Sequence, residues 1–230
     1  MKGVCIFFIG ILCFVSLYAQ SFDYEKIAPH PRLLWPLEGD VAIKKMMAEY
    51  PQLANVHERI LSECAMMLLQ KPVERILEGK RLLGISRLAF KRIFYLSYAY
   101  RMTKDERYAQ RAEQEMLAVS RFRDWNPSHF LDVGEMVMAL AIGYDWLYDY
   151  LKPEARGIIG DAIIEKGFDA ADPDAFFYTS ASNWNSVCNN GLTYGAIALY
   201  ETASDKAKAI IERCLATNPK VMNVYGPDGG

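Results

Sequence analysis

Apolar side chains recur at three- and four-residue spacing along most of the chain, the period of a helix that buries one face. Segments with this pattern cover residues 38–50, 53–70, 84–102, 106–122, 132–151, 153–168, 186–200 and 205–217. Lys104 and Asp105 supply a turn between the third and fourth segments. Pro153 is suited to the first turn of the sixth, where its missing N–H costs nothing. No stretch alternates apolar and polar residues between turn signals, as a half-buried strand would. The predicted fold class is therefore all-α.

The predicted helices are of two kinds. Residues 132–151 (DVGEMVMALAIGYDWLYDYL) and 186–200 are apolar nearly all the way round, whereas 106–122 and 205–217 carry clear charged faces. A helix apolar on every side must be enclosed, and one with a single apolar stripe covers it. Enclosed helices are expected near 84, 132 and 186, each followed by an amphipathic partner, a pattern repeat of roughly 50 residues. Helical hairpins stacked in this way build a solenoid or a closed ring of inner and outer helices. With no tetratricopeptide signature, the ring, an α/α toroid, is the expected architecture.

Composition changes this picture only at the ends. The chain has 230 residues, 52% hydrophobic and 23% charged, with a net charge of −2. That balance is unlike a nucleic-acid binder, which carries a basic excess, and unlike a disordered chain. Lys2 followed by the uncharged run VCIFFIGILCFVSL, with Ala19 before Gln20, has the form of a secretory signal and is too short to span a membrane. Residues 1–19 are thus expected to be removed on export to the periplasm or the exterior, leaving 20–230 as one helical domain with no membrane contact after cleavage; an uncleaved N-terminal anchor is the other reading of the same run. Cys64, Cys188 and Cys214 then remain, an odd number without the spacing of a disulfide framework or a zinc site.

Candidate chemistry concentrates in Ser182-Asn183-Trp184-Asn185-Ser186-Val187-Cys188-Asn189-Asn190-Gly191, where four asparagines surround a tryptophan before an enclosed helix. Asn183, Asn185 or Ser186 is placed to cap the helix, whose free N–H groups and positive dipole end suit a carboxylate. Asn185 and Asn189 share a face if the helix starts early enough. Asn189, His129 and Glu135 are candidates to line a cleft, and Trp184 is the best placed aromatic platform for a sugar ring. Trp146, Tyr144 and Asp145 read as core, and Arg32 as a structural ion-pair partner. His30 and His57 have no partner pattern. There is no glycine-rich phosphate loop, no HExxH and no CxxC, so no metal or cofactor is expected in this chain.

Several stretches resemble the heparinase II/III-like polysaccharide lyases: His30-Pro31-Arg32-Leu33-Leu34, the run from Tyr98 to Tyr108, His129-Phe130-Leu131-Asp132-Val133-Gly134-Glu135-Met136, Asn183-Trp184-Asn185, and the ending Tyr225-Gly226-Pro227-Asp228-Gly229-Gly230. The resemblance implies an α/α toroid followed, in complete members, by a β-sandwich region that adds a histidine and metal-stabilised structure. It implies cleavage of uronate-containing glycans by β-elimination. Removing a proton beside a carboxylate builds a second negative charge on that group, so amide donors aimed at it stabilise the transition state. By similarity Asn183 and Asn185 are expected to neutralise the substrate carboxylate. A tyrosine or histidine takes the proton, and the family's tyrosine is expected beyond Gly230. The chain is accordingly expected to be the front part of a longer enzyme and to lack turnover alone. Several alginate-cleaving relatives carry histidine beside the neutralising asparagine, where this chain has Trp184 and Asn185, so the glycan stays open. So does the oligomeric state.

Two other readings accommodate the same residues. A glycoside hydrolase on a similar ring would need paired carboxylates, for which Asp132, Glu135, Asp145 and Asp172 to Asp174 are the available groups. A noncatalytic glycan-binding protein would need only the aromatic and amide surface.

Overall fold

The computed structural model describes residues 22–35, 38–223 and Gly226. The predicted signal segment and most of the 225–230 stretch lie outside the described residues. Among the described residues, eight long helices follow the predicted segments: α1 (Gly39–Glu49), α2 (Pro51–Met67), α3 (Leu83–Thr103), α4 (Glu106–Ser120), α5 (Leu131–Trp146), α6 (Pro153–Ile163), α7 (Asn183–Ala198) and α8 (Ser204–Thr217). The all-α prediction holds for them. They contain no strand, only an isolated bridge between Glu78 and Arg81, and no helix long and apolar enough to cross a membrane.

Boundaries differ from the prediction for local reasons. Helix α7 begins at Asn183, three residues before the expected start, because the Ser182 hydroxyl accepts from Trp184 N at 3.4 Å. Helix α5 stops at Trp146 rather than 151. The chain must reverse there, since Lys152 is extended ahead of Pro153, which opens α6 at its N1 position. The end of the sixth segment, Ile164–Phe168, widens into a π-turn. The glycine in that turn, Gly167, faces Val137 so closely that a Cβ would lie 2.6 Å from Val137 Cγ2.

Two layers follow from the two kinds of helix. Helix α5 is buried at every position but Glu135 and Met138 and packs between α3 and α7. Helices α4 and α8 lie on α3 and α7 respectively, and α6 contacts both α4 and α5. Each of these three turns its apolar stripe inward and most of its charges outward, α4 burying only Arg111 and Glu115.

The segment before α1 is fastened to the far end of this layer. Asp145, in the last turn of α5, accepts His30 Nδ1 at 2.5 Å, Arg32 N at 2.9 Å and Leu33 N at 2.8 Å. A carboxylate at a helix C-terminus opposes the dipole, so these donors are what make the position tolerable. Trp146 Nε1 donates to Leu33 O at 2.6 Å, and Arg32 pairs with Glu201 at 2.6 Å. Arg32, Tyr144, Asp145 and Trp146 are thus architectural, as their sequence setting suggests.

All three cysteines of the described chain are free and buried. Desolvation pushes the thiols up to about 12 at Cys64 and Cys188 and about 11 at Cys214. A thiol held protonated and covered is inert. In protein lacking residues 1–19, Ellman's reagent at pH 8 is expected to find no reactive thiol in the native state and three in guanidinium.

Candidate functional site

The N-termini of α3, α5 and α7 come together at one end of the layer. Asp132, in the first turn of α5, accepts Leu82 N at 2.6 Å and so ties the start of α3 to the start of α5. At the start of α7 the His129 ring meets Trp184 edge-on, with centroids 4.9 Å apart. Two further contacts complete the rim. Glu135 accepts Arg87 Nε at 3.0 Å, and Phe176 lies 4.8 Å from Trp184, ring centre to ring centre. Between α5 and α7 a cleft of about 180 Å³ is lined by Gly134, Glu135, Met138, Ser186, Val187 and Asn190.

The helix period divides the asparagine cluster. Asn183, Ser186, Val187 and Asn190 fall on one side of α7, and Asn183 and Asn190 are exposed there. Asn185 and Asn189 fall on the other, where both are fully buried. Asn185 and Asn189 do share a face, with Asn189 Nδ2 donating to Asn185 Oδ1 at 3.1 Å. That face looks into the protein. Asn185 Nδ2 donates to Phe177 O, Tyr178 O and Thr217 O at 3.1, 3.3 and 3.2 Å, and Asn189 Nδ2 donates to Thr217 Oγ1 at 3.2 Å. These amides bind the start of α7 to the turn before it and to the end of α8. Neither presents a donor to solvent, so the expected role of Asn185 on a substrate carboxylate is corrected: of that pair only Asn183 is exposed. The substrate contact expected of Asn189 is corrected in the same way.

Replacement separates the two roles. Asn185→Ala strands three carbonyls and is expected to cost about 1–3 kcal/mol of stability, measured by urea denaturation. Asn183→Ala, at an exposed position, is expected to change stability by less than about 0.5 kcal/mol.

His129 and Glu135 both reach the rim but do not bond each other. Each has its own partner, Asp132 at 2.6 Å and Arg87 at 3.0 Å. Sequence reading singled out neither Asp132 as the partner of His129 nor Phe176, which is 59% exposed beside Trp184. The signal was present in the H-x-x-D spacing ahead of a helix, and in an aromatic run, Phe176-Phe177-Tyr178, shortly before the asparagines.

Two of the available carboxylates, Asp132 and Asp145, cannot act together as a hydrolase pair. Asp132 and Asp145 sit thirteen residues apart on one straight helix, about 20 Å, and both are buried and bonded. Asp172 Oδ1 accepts Asp174 N at 2.8 Å, closing a surface turn. A larger cavity of about 340 Å³ between α1, α2 and α3 is lined by residues such as Trp35, Met46, Met47, Phe94 and Trp146, with His57 Nδ1 2.9 Å from the Tyr98 hydroxyl. Its apolar walls suit no polyanion. Among the described residues no group of three or more His, Cys, Asp or Glu side chains is placed to hold a metal. No protein-family model matches this chain, and no curated protein matches it either.

Proposed function

We propose that this chain is the helical portion of a polysaccharide lyase that binds uronic-acid-containing glycans and cleaves them by β-elimination, its two helix layers forming part of an α/α toroid. The observation that carries this reading is the rim at the N-termini of α5 and α7. It brings an exposed amide (Asn183), an aromatic pair (Trp184 and Phe176) and an imidazole (His129) to one place. Each has a part in the chemistry. The aromatic faces stack a sugar ring. The Asn183 amide, with the positive dipole end of α7, receives the carboxylate and holds the charge that grows there as the neighbouring C–H ionises. Beneath them, Asn185 fixes the helix start, so the donors need no reorganisation.

The test is affinity electrophoresis of the exported protein in gels containing alginate, polygalacturonate or chondroitin sulfate, with a neutral glucan as control. Ultraviolet absorbance of the unsaturated uronate product is read in parallel. Retardation by an acidic polymer, weakened at least about tenfold in Asn183→Ala, supports the reading, since loss of one such donor removes about 3–4 kcal/mol from the transition state and part of that from binding. Equal retardation by the neutral glucan, or none by any acidic polymer, overturns it.

A further inference from the structure

We propose that His129 and Asp132 form a proton-transfer dyad within this chain, with His129 Nε2 as the base; the inference rests on the lyase reading above. It starts from the hydrogen-bond count at Asp132. That carboxylate is fully buried, and an ionised carboxylate only accepts. Oδ2 takes Leu82 N at 2.6 Å and Asn126 Nδ2 at 2.7 Å, and Oδ1 takes His129 Nδ1 at 2.6 Å. With Asp132 in its ionised form, His129 Nδ1 carries the hydrogen, which leaves the lone pair of a neutral ring on Nε2.

No described residue hydrogen-bonds Nε2. The ring plane is held from the side by Trp184, the residue that would stack the sugar. The support beneath is itself fixed, because Asn126, at a left-handed φ of 62°, also donates Nδ2 to Lys80 O at 2.9 Å.

The protein contains a comparison. His30 and Asp145 make the same Nδ1–carboxylate contact at the other end of α5. There the ring lies flat on Tyr148 at 4.0 Å, Nε2 is 3.9 Å from Glu201 Oε2, and the carboxylate is occupied with backbone N–H groups. That pair is a latch. The His129 pair alone keeps its second nitrogen beside exposed aromatic and amide groups.

In the reaction, Nε2 takes the proton from the carbon bearing the carboxylate. The electrons of that C–H bond form the new double bond as the neighbouring carbon–oxygen bond breaks. The departing oxygen takes a proton from water, and the imidazolium, stabilised by Asp132, returns its proton to solvent.

The test uses the intact protein. Nitrogen-15 NMR of the imidazoles at pH 8 is expected to show His129 with a protonated Nδ1 and a bare Nε2. Diethyl pyrocarbonate, followed by peptide mass spectrometry, is expected to modify His129, and the acidic polymer that the protein binds is expected to protect it, with no protection at His30. In Asp132→Asn the side-chain oxygen stays with Leu82 N and Asn126, which turns the new NH2 toward Nδ1. The tautomer is then expected to flip and modification of His129 to slow several-fold. His129→Gln, which leaves Asp132 in place, is expected to keep glycan retardation and abolish formation of unsaturated product by the enzyme. The proposal is overturned by a protonated Nε2 in the unmodified protein, by retardation without protection of His129, or by undiminished product from His129→Gln. Failure to bind any acidic polymer overturns the lyase reading instead, and the dyad falls with it.

Discussion

Glu115→Ala is expected to lower the stability of the protein by about 3–5 kcal/mol, the cost of stripping one partner from a buried ion pair. Glu115 lies on α4 with no exposure at all. Its Oε1 accepts Arg92 Nη1 and Arg111 Nη2, both at 2.8 Å, and its Oε2 accepts Val73 N at 2.9 Å. Arg111 in turn donates to Met67 O, and Arg92 to Lys71 O and Gln70 Oε1. One carboxylate therefore holds the end of α2, the loop after it, α3 and α4. Without it, two guanidinium groups with side chains only 11% and 5% exposed face each other unneutralised. Against a typical total of about 5–15 kcal/mol, that loss is about a fifth or more of the stability. At roughly 2–4 °C per kcal/mol for a chain of this size, the melting temperature falls by about 10 °C. Glu115→Gln keeps an acceptor oxygen and is expected to lose less. A denaturation midpoint for Glu115→Ala within error of the parent would show that the arginines find other partners.

Gly191→Ala is expected to be the most damaging single methyl group in the chain. Helices α5 and α7 cross backbone to backbone, and a Cβ at Gly191 would lie 2.2 Å from Gly134 O. No rotamer relieves a clash with a carbonyl, so the helices must part. Overpacking of this kind costs about 1–3 kcal/mol and more where the backbone cannot yield, against a helix-propensity gain of at most about 1 kcal/mol. Because the crossing sets the spacing of the cleft that holds Glu135 and Asn190, glycan retardation is expected to weaken as well. Gly157 is the control. It lies in α6, where an added Cβ would meet nothing within 4 Å, so Gly157→Ala is expected to stabilise by about 0.5–1 kcal/mol. Thermal melts of the two variants should move in opposite directions.

Helix positions were legible because burial follows the helix period directly. The apolar run from Asp132 announces an enclosed helix, and α5 is one. What the pattern does not carry is the direction of each polar side chain. Asn183 and Asn185 are equivalent in a string of letters. They separate only once Ser182 caps the helix, since moving its start changes the environment of every amide after it. The same holds for Asp132 and Asp145, which look like two of many acids until backbone N–H groups from distant segments reach them. His30 had no partner pattern because its partner lies 115 residues away. Local periodicity reports faces, and long-range hydrogen bonds decide which polar groups on those faces are spent.

The latch at Asp145 has a consequence for the order of assembly. His30, Arg32 and Leu33 are among the first described residues to be synthesised, yet each is satisfied by a group that appears more than a hundred residues later. Closing a loop of that length is favourable only after the inner helices have packed, since entropy is lost before the contacts reward it. The leading segment therefore stays unlatched while the rest of the chain emerges. That delay makes the docking of residues 30–33 a late step, completed once α5 is in place.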